Sequence, residues 1–199
     1  MRGREREGIV AERLWREAQE REAAIGGLCR ELSGELDAVK DCRVPLQRFV
    51  EDSPRIVETL CGLHSLRAGF YAEMDAEGLD VLRIVRDPNL RDRVTVELSF
   101  MVFCSRTTED IIDRRGEEAL DRVADALERE LRKLAPGLEV CSEVEIGYED
   151  VVFYVELEVP CSEVERAAEV VRIVAEAYPR LVEALKRALE EHLPECREN

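Results

Sequence analysis

Histidine, asparagine, glutamine and lysine are scarce in this chain of 199 residues: two His, two Asn, two Gln and three Lys. With only His64 and His192 to draw on, a serine–histidine–acid arrangement has two places to go, and neither has a distinctive neighbour. The sequence also lacks a phosphate-cradling GxxxxGK[ST], a GxGxxG, a GxSxG elbow and an HExxH. No apolar run approaches the roughly 18 residues that a membrane span needs; "VVFYV" at 151–155 is typical of the longest. The opening "MRGREREG" is charged, with no apolar run behind it, unlike a secretory leader. The expectation is a soluble, cytoplasmic protein that does not engage a membrane.

A basic stripe is missing too. The net charge is −16, and most of it lies beyond Leu66. Nucleic acid is a polyanion that needs a basic footprint, so nucleic-acid binding is not expected. No CxxC occurs, and the seven cysteines are odd in number and scattered at 29, 42, 61, 104, 141, 161 and 196. That pattern does not suggest a disulfide framework; buried free thiols acting as small apolar residues are expected.

Charge itself is abundant. There are 33 Glu against 12 Asp and 26 Arg against 3 Lys, and charged residues make up 37% of the chain. Few thermolabile amides and many charges fit a thermophilic protein. Arginine over lysine also follows from nucleotide composition, and acidity from high internal salt.

The first segment reads as helix from Glu7 to about Lys40. Leu14, Ala18, Ile25, Leu28, Leu32 and Val39 form a narrow seam, which suggests a packed pair or coiled coil, within the chain or in a homodimer. Gly26-Gly27 predicts a kink or a break. Short helices are expected after Pro45 and from Ser53-Pro54, the latter burying Ile56, Val57, Leu60 and Leu63. The period then changes from 3.6 to 2. "GFYAEMD" (69–75), "LDVLRIVRD" (79–87) and "RVTVELSFMVFC" (93–104) read as strands. A long helix follows from Thr107 to about Leu134, then a hairpin of "LEVCSEVEIG" (138–147) and "VVFYVELEVP" (151–160). A final helix opens on a capping box at Ser162–Glu165 and should kink at Pro179.

The fold class is therefore α+β: N-terminal helices followed by β-β-β-α-β-β-α, an antiparallel sheet with the long helices packed on one face. Residues 1–44 form a helical extension and 45–199 the α+β domain. Alternation places Tyr71, Glu73, Glu97, Ser99, Met101, Phe103, Cys141, Glu143, Glu145, Tyr154, Glu156 and Glu158 on the opposite, open face. Tyr71, Met101, Phe103 and Tyr154 among carboxylates such as Glu97 and Glu156 mark a contact surface. Either the N-terminal helices cover it or a partner does.

Two cysteine–histidine neighbours carry the remaining chemistry. "CGLH" puts Cys61 and His64 at i,i+3 of a helix, and "HLPEC" brings His192 and Cys196 together near the chain's end. Cys61, His64, His192 and Cys196 would make a Cys2His2 zinc site. Alternatively His64 activates Cys61 as a nucleophile, or the stretch is an ordinary helix end and the protein carries no cofactor.

The order of elements, with "VVFYVELEVPCSEVERAAEVVRIVAEAYPRLVEALKRAL" as a last strand running into an amphipathic helix, resembles the type III secretion chaperone-like fold and its bacterial sensory-regulator-like superfamily over about residues 46–192. The acidity is similar as well. The resemblance implies a dimeric, non-catalytic, chaperone-like binder of protein segments. A ferredoxin-like sheet with permuted connections fits the second to fifth strands equally well. The function expected is a non-enzymatic interaction module; the alternative is a metal-bearing or thiol-dependent enzyme centred on Cys61 and His64.

Overall fold

The structure is a computed structural model that describes residues 2–34, 41–63, 67–90 and 92–197, with side chains described from 12 to 196. Its organising element is strand β4, Arg93–Cys104. The alternation read in the sequence holds along it. Val94, Val96, Leu98, Phe100 and Val102 are fully buried, because every second side chain of a strand points to the same face. On one side β4 pairs antiparallel with β3 (Val81–Arg86), which pairs antiparallel with β2 (Ala68–Glu73). On the other it pairs along nearly its whole length with β6 (Asp150–Pro160), which forms a hairpin with β5 (Val140–Ile146).

Two strands were not expected. β1 (Asp41–Arg43) pairs parallel with β2, so the sheet is mixed rather than antiparallel. Parallel neighbours need a long crossover; here α2 (Leu46–Glu51) and α3 (Ser53–Cys61) supply it. β7 (Cys196–Arg197) pairs with the end of β4. The sheet order is β1-β2-β3-β4-β6-β5, with β7 off that path. The boundary placed at 44/45 falls between β1 and the rest of the sheet to which β1 belongs.

The predicted helix 107–134 is two helices, α4 (Thr108–Arg115) and α5 (Glu118–Leu134), broken at Gly116 with φ 80°. Thr107 does cap α4, accepting the Asp110 N–H. The capping box read at Ser162 is not formed: α6 (Val164–His192) starts beyond it, with Glu163 as cap and no side-chain bond there. α6 continues through Pro179. α1 (Arg2–Ser33) likewise passes Gly26-Gly27 as one helix.

Helices α3, α5 and α6 lie on the face that carries Phe70, Phe100 and Phe153. Their apolar stripes, such as Leu120, Val123, Leu127 and Leu131 of α5, close one continuous core. Phe100 stacks on Tyr178 of α6 with ring centroids 6.1 Å apart. α1 joins the same core through Ile25, Leu28, Cys29 and Leu32, while Leu14 and Trp15 are exposed, Trp15 by 67%. Val39, the last residue of the predicted seam, lies outside the described residues.

The cysteines overturn the free-thiol expectation. Cys29 is bonded to Cys42, Cys61 to Cys161 and Cys104 to Cys196, leaving Cys141 free and exposed. The odd count arose from that one residue. The pairs bridge 13, 100 and 92 residues of sequence, so two of them depend on tertiary contacts that no local spacing records.

Candidate binding surface

Strand register maps the open face. One row across the sheet runs Arg43, Tyr71, Arg83, Glu97, Glu156, Cys141. The next runs Glu73, Val81, Ser99, Tyr154, Glu143. Beyond it come Met101, Val152 and Glu145, then Phe103 and Asp150. The first row is cationic on β1 and β3 and anionic on β4 and β6; the second carries Glu73 on β2 and Glu143 on β5, with no cation between them. All six residues expected on the contact surface are on this face. Glu97, Glu156 and Tyr154 line one depression of about 490 Å³ together with Arg67, Arg83, Glu143 and Glu145. Met101 and Phe103 continue the surface along β4, where Phe103 is 42% exposed. Tyr71 lies on the far side of Arg83.

Ion pairs tie strands of this face together. Arg43 donates to Glu73 at 2.6 Å and Arg83 to Asp41 at 3.1 Å. Arg93 donates to Glu158 at 2.7 Å. Arg83 also reaches within 3.5 Å of Glu97 Oε1, but without hydrogen-bond geometry. Glu97 is 8% exposed, and its Oε1 is buried with no hydrogen-bond partner among the described residues. Burial is the main force pushing the Glu97 carboxyl up, against the pull of Arg83. Glu156, its direct cross-strand neighbour, is raised by burial and then by the charges of Glu97 and Glu143. The Tyr154 hydroxyl donates to Glu145 at 2.7 Å; burial, then that bond, raises its pKa.

Sequence reading missed Arg67 and Arg83. Period-two alternation in "LDVLRIVRD" would have placed Arg83 on one face with Val81 and Val85; its pairing with Glu97 is set by the register.

The zinc set takes a different form. Cys61 and Cys196 are each in a disulfide, so neither offers a thiolate to a metal or a nucleophilic step. His64 lies outside the described residues. His192 ends α6, its Nε2 3.9 Å from Glu191. Among the described residues no group of three His, Cys, Asp or Glu is placed to hold a metal ion, and no helix is long and apolar enough to cross a membrane. Burial, followed by the charges of nearby glutamates, raises the Cys141 thiol, which keeps it protonated and weakly nucleophilic.

The raised carboxyls give the fold a pH dependence. Glu97 and Glu156 are held above their usual 4.5, and Asp80 above 3.8 by burial, despite the hydrogen bond from Tyr178 at 2.7 Å. An acid whose pKa is higher folded than unfolded stabilises the native state below its unfolded value, and that stability is lost as pH rises through the folded value. The ion-paired Glu31, Glu130 and Glu195 shift the other way and act only near or below 4.5. The urea midpoint is therefore expected to rise between about pH 7 and about pH 5, and to rise less in Glu97→Gln. A midpoint that falls over that interval would show that the buried carboxyls do not govern it.

Compared with family models, curated proteins and solved structures, the chain finds no match.

Proposed function

We propose that the chain is a non-enzymatic, chaperone-like interaction module whose contact surface is the open face of the sheet. The observation that carries this reading is that α3, α5 and α6 pack on one face, while the other presents Met101, Phe103 and Tyr154 among carboxylates. Apolar side chains within an anionic field suit a partner segment that is both apolar and basic. The resemblance in element order supports a binder of protein segments, and fold analogy alone would not suffice.

Self-association is placed on α1. Its seam runs Leu14, Ala18, Ile25, Leu28, Leu32; the last three are buried by their own chain, and Leu14 is exposed. A second α1 covering the exposed half gives a homodimer. The cytoplasm remains the proposed compartment. Disulfides are rare there except in hyperthermophiles, and the amide-poor, charge-rich composition is of that kind. Cell fractionation that places the chain elsewhere would overturn the assignment.

One experiment separates the two surfaces. Native mass spectrometry of protein isolated from its own cells would compare wild type with Met101→Ser/Phe103→Ser and with Leu14→Ser/Trp15→Ser. The first pair should lose the partner and keep the dimer; the second should lose the dimer. Unchanged masses in the first pair refute the sheet-face assignment, and in the second the α1 assignment.

A further inference from the structure

We infer that the outer edge of β5, together with the groove between β5 and α5, receives an extended segment of another protein as an added strand, one that alternates apolar and basic residues. This site is separate from the open face proposed above.

The path of paired strands ends at β1 and at β5. An edge strand carries unpaired backbone groups, and proteins blunt such edges with shortness, proline, lysine, bulges or a covering element. β1 is three residues long and packs against α1. β5 runs over seven residues, pairs one for one with β6, and holds neither proline nor lysine. Two bonds fix which of its backbone groups turn outward. The Gly147 N–H donates to the Asp150 carbonyl at 2.8 Å, toward β6. The Val140 carbonyl instead accepts from Arg132 of α5 at 3.2 Å. Along an antiparallel ladder, alternate residues turn both groups the same way. Ser142, Val144 and Ile146 therefore point N–H and C=O away from β6, and among the described residues no strand pairs with them.

Those same three residues send their side chains to the face on which α5 packs. Val144 and Ile146, with Leu120 and Ala124 of α5, line a groove of about 610 Å³. Ile146 is 46% exposed there. Leu120 and Ala124 stand four apart on one helix face, so the groove follows the helix beside the free edge. A strand added to β5 would bond through its main chain and set every second side chain into this groove.

Charge selects the occupant. Glu117, Asp121 and Asp125 of α5 border the groove, and no cation is among the described residues that line it. Across the sheet, on its open side, Glu143 and Glu145 flank the same edge. A second copy of β5 would bring these glutamates against their own kind, and like charges across a ladder are destabilising. A foreign strand with lysine or arginine at alternate positions meets Glu143 and Glu145 with opposite charge, while its apolar positions enter the groove.

The test titrates the full, oxidised chain with a short acetylated and amidated peptide that alternates valine and lysine, followed by amide NMR. Saturable binding is expected with a Kd of about a tenth of a millimolar, moving the amides of Ser142, Val144 and Ile146 and slowing their hydrogen exchange. Methylating the peptide's alternate backbone nitrogens, those that would face β5, keeps its charge and removes its donors; binding should fall by about tenfold or more. Val144→Pro deletes one outward N–H and no bond to β6, at the kind of edge position where proline is accepted, and should weaken the peptide by about tenfold. Ile146→Lys, which puts a cation beside the groove at an exposed position, should weaken it too and does not depend on proline being tolerated. Met101→Ser/Phe103→Ser should bind the peptide as wild type does.

Several outcomes overturn the proposal. A methylated peptide that binds as tightly as its parent would show diffuse attraction to an acidic chain. Equal binding by a peptide alternating valine and glutamate would remove the charge argument. Shifts confined to Met101, Phe103 and Tyr154 would move the peptide to the open face. Protection of the Ser142 and Val144 amides that grows with protein concentration, without peptide, would make the occupant a second copy of the chain.

Discussion

Replacing Cys61 and Cys161 together by serine is expected to lower the free energy of unfolding by about 4–5 kcal/mol. The bond closes a loop of 100 residues, and the entropy that a crosslink removes from the unfolded chain grows with the logarithm of loop length. For a chain of this size that corresponds to a fall in Tm of roughly 10–15 °C. The effect should exceed that of Cys29→Ser/Cys42→Ser, whose loop is 13 residues and whose removal should cost about 3 kcal/mol. Location adds to the argument. Cys61 is the last residue of α3, and Cys161 follows β6. The bond therefore fastens the crossover helix to the turn that starts α6. Thiol titration gives the check before any variant is made. Unreduced, unfolded protein should show one reactive thiol, Cys141, and seven after reduction. Seven thiols without reductant, or a urea midpoint unmoved by reduction, would remove the disulfides from the account of stability.

Much of the fold was legible because the strands are half-buried and the helices amphipathic. β4 shows why: apolar and polar residues alternate from Arg93 to Phe100, and period two fixes which side chains face the helices. The same alternation located Glu97, Met101, Phe103, Tyr154 and Glu156 on the open face. Where the sequence misled, the cause was non-local. Asp41–Arg43 has no strand pattern of its own and becomes β1 because β2 offers an edge and Cys29 bonds Cys42. Ser162 and Glu165 satisfy the capping-box pattern, yet α6 begins two residues after the serine, where the β6 turn allows it. Gly116 carried the break between α4 and α5, and its positive φ was a signal the apolar stripe obscured. The candidate site was legible in composition but not in depth. Alternation puts Glu97 and Glu156 on one face, but nothing in the sequence says that they are direct cross-strand neighbours or that Glu97 is nearly buried.

Arg86→Met is expected to destabilise the fold by about 3 kcal/mol, or roughly 10 °C in Tm. Arg86 ends β3, is 3% exposed, and has no carboxylate partner among the described residues. Its guanidinium is satisfied by backbone instead. Nε donates to the Leu63 carbonyl at 3.1 Å, and Nη1 to the carbonyls of Leu90, at 3.0 Å, and Arg93. Nη1 also lies 3.9 Å from Cys161 Sγ. One side chain thus ties Leu63, two residues past α3, the β3–β4 loop and the start of β4 beside the Cys61–Cys161 bond. Two effects compete when it is replaced. Burying a guanidinium is costly, so an apolar residue of similar length relieves desolvation, and replacing a whole buried ion pair is often neutral for that reason. Here only the donor would go. The three carbonyls would remain at their places, and each acceptor left bare costs about 1–3 kcal/mol, which outweighs the relief. Methionine keeps most of the stem's packing, so it isolates the loss of donors. Arg86→Lys should recover little, because an ammonium on a flexible chain lacks the planar fork that spans carbonyls on separate segments. Combined with Cys61→Ser/Cys161→Ser, the losses should fail to add, since both act on one corner. Urea unfolding of the four proteins measures this directly. A methionine variant as stable as wild type would show that water satisfies those carbonyls and that Arg86 merely fills space.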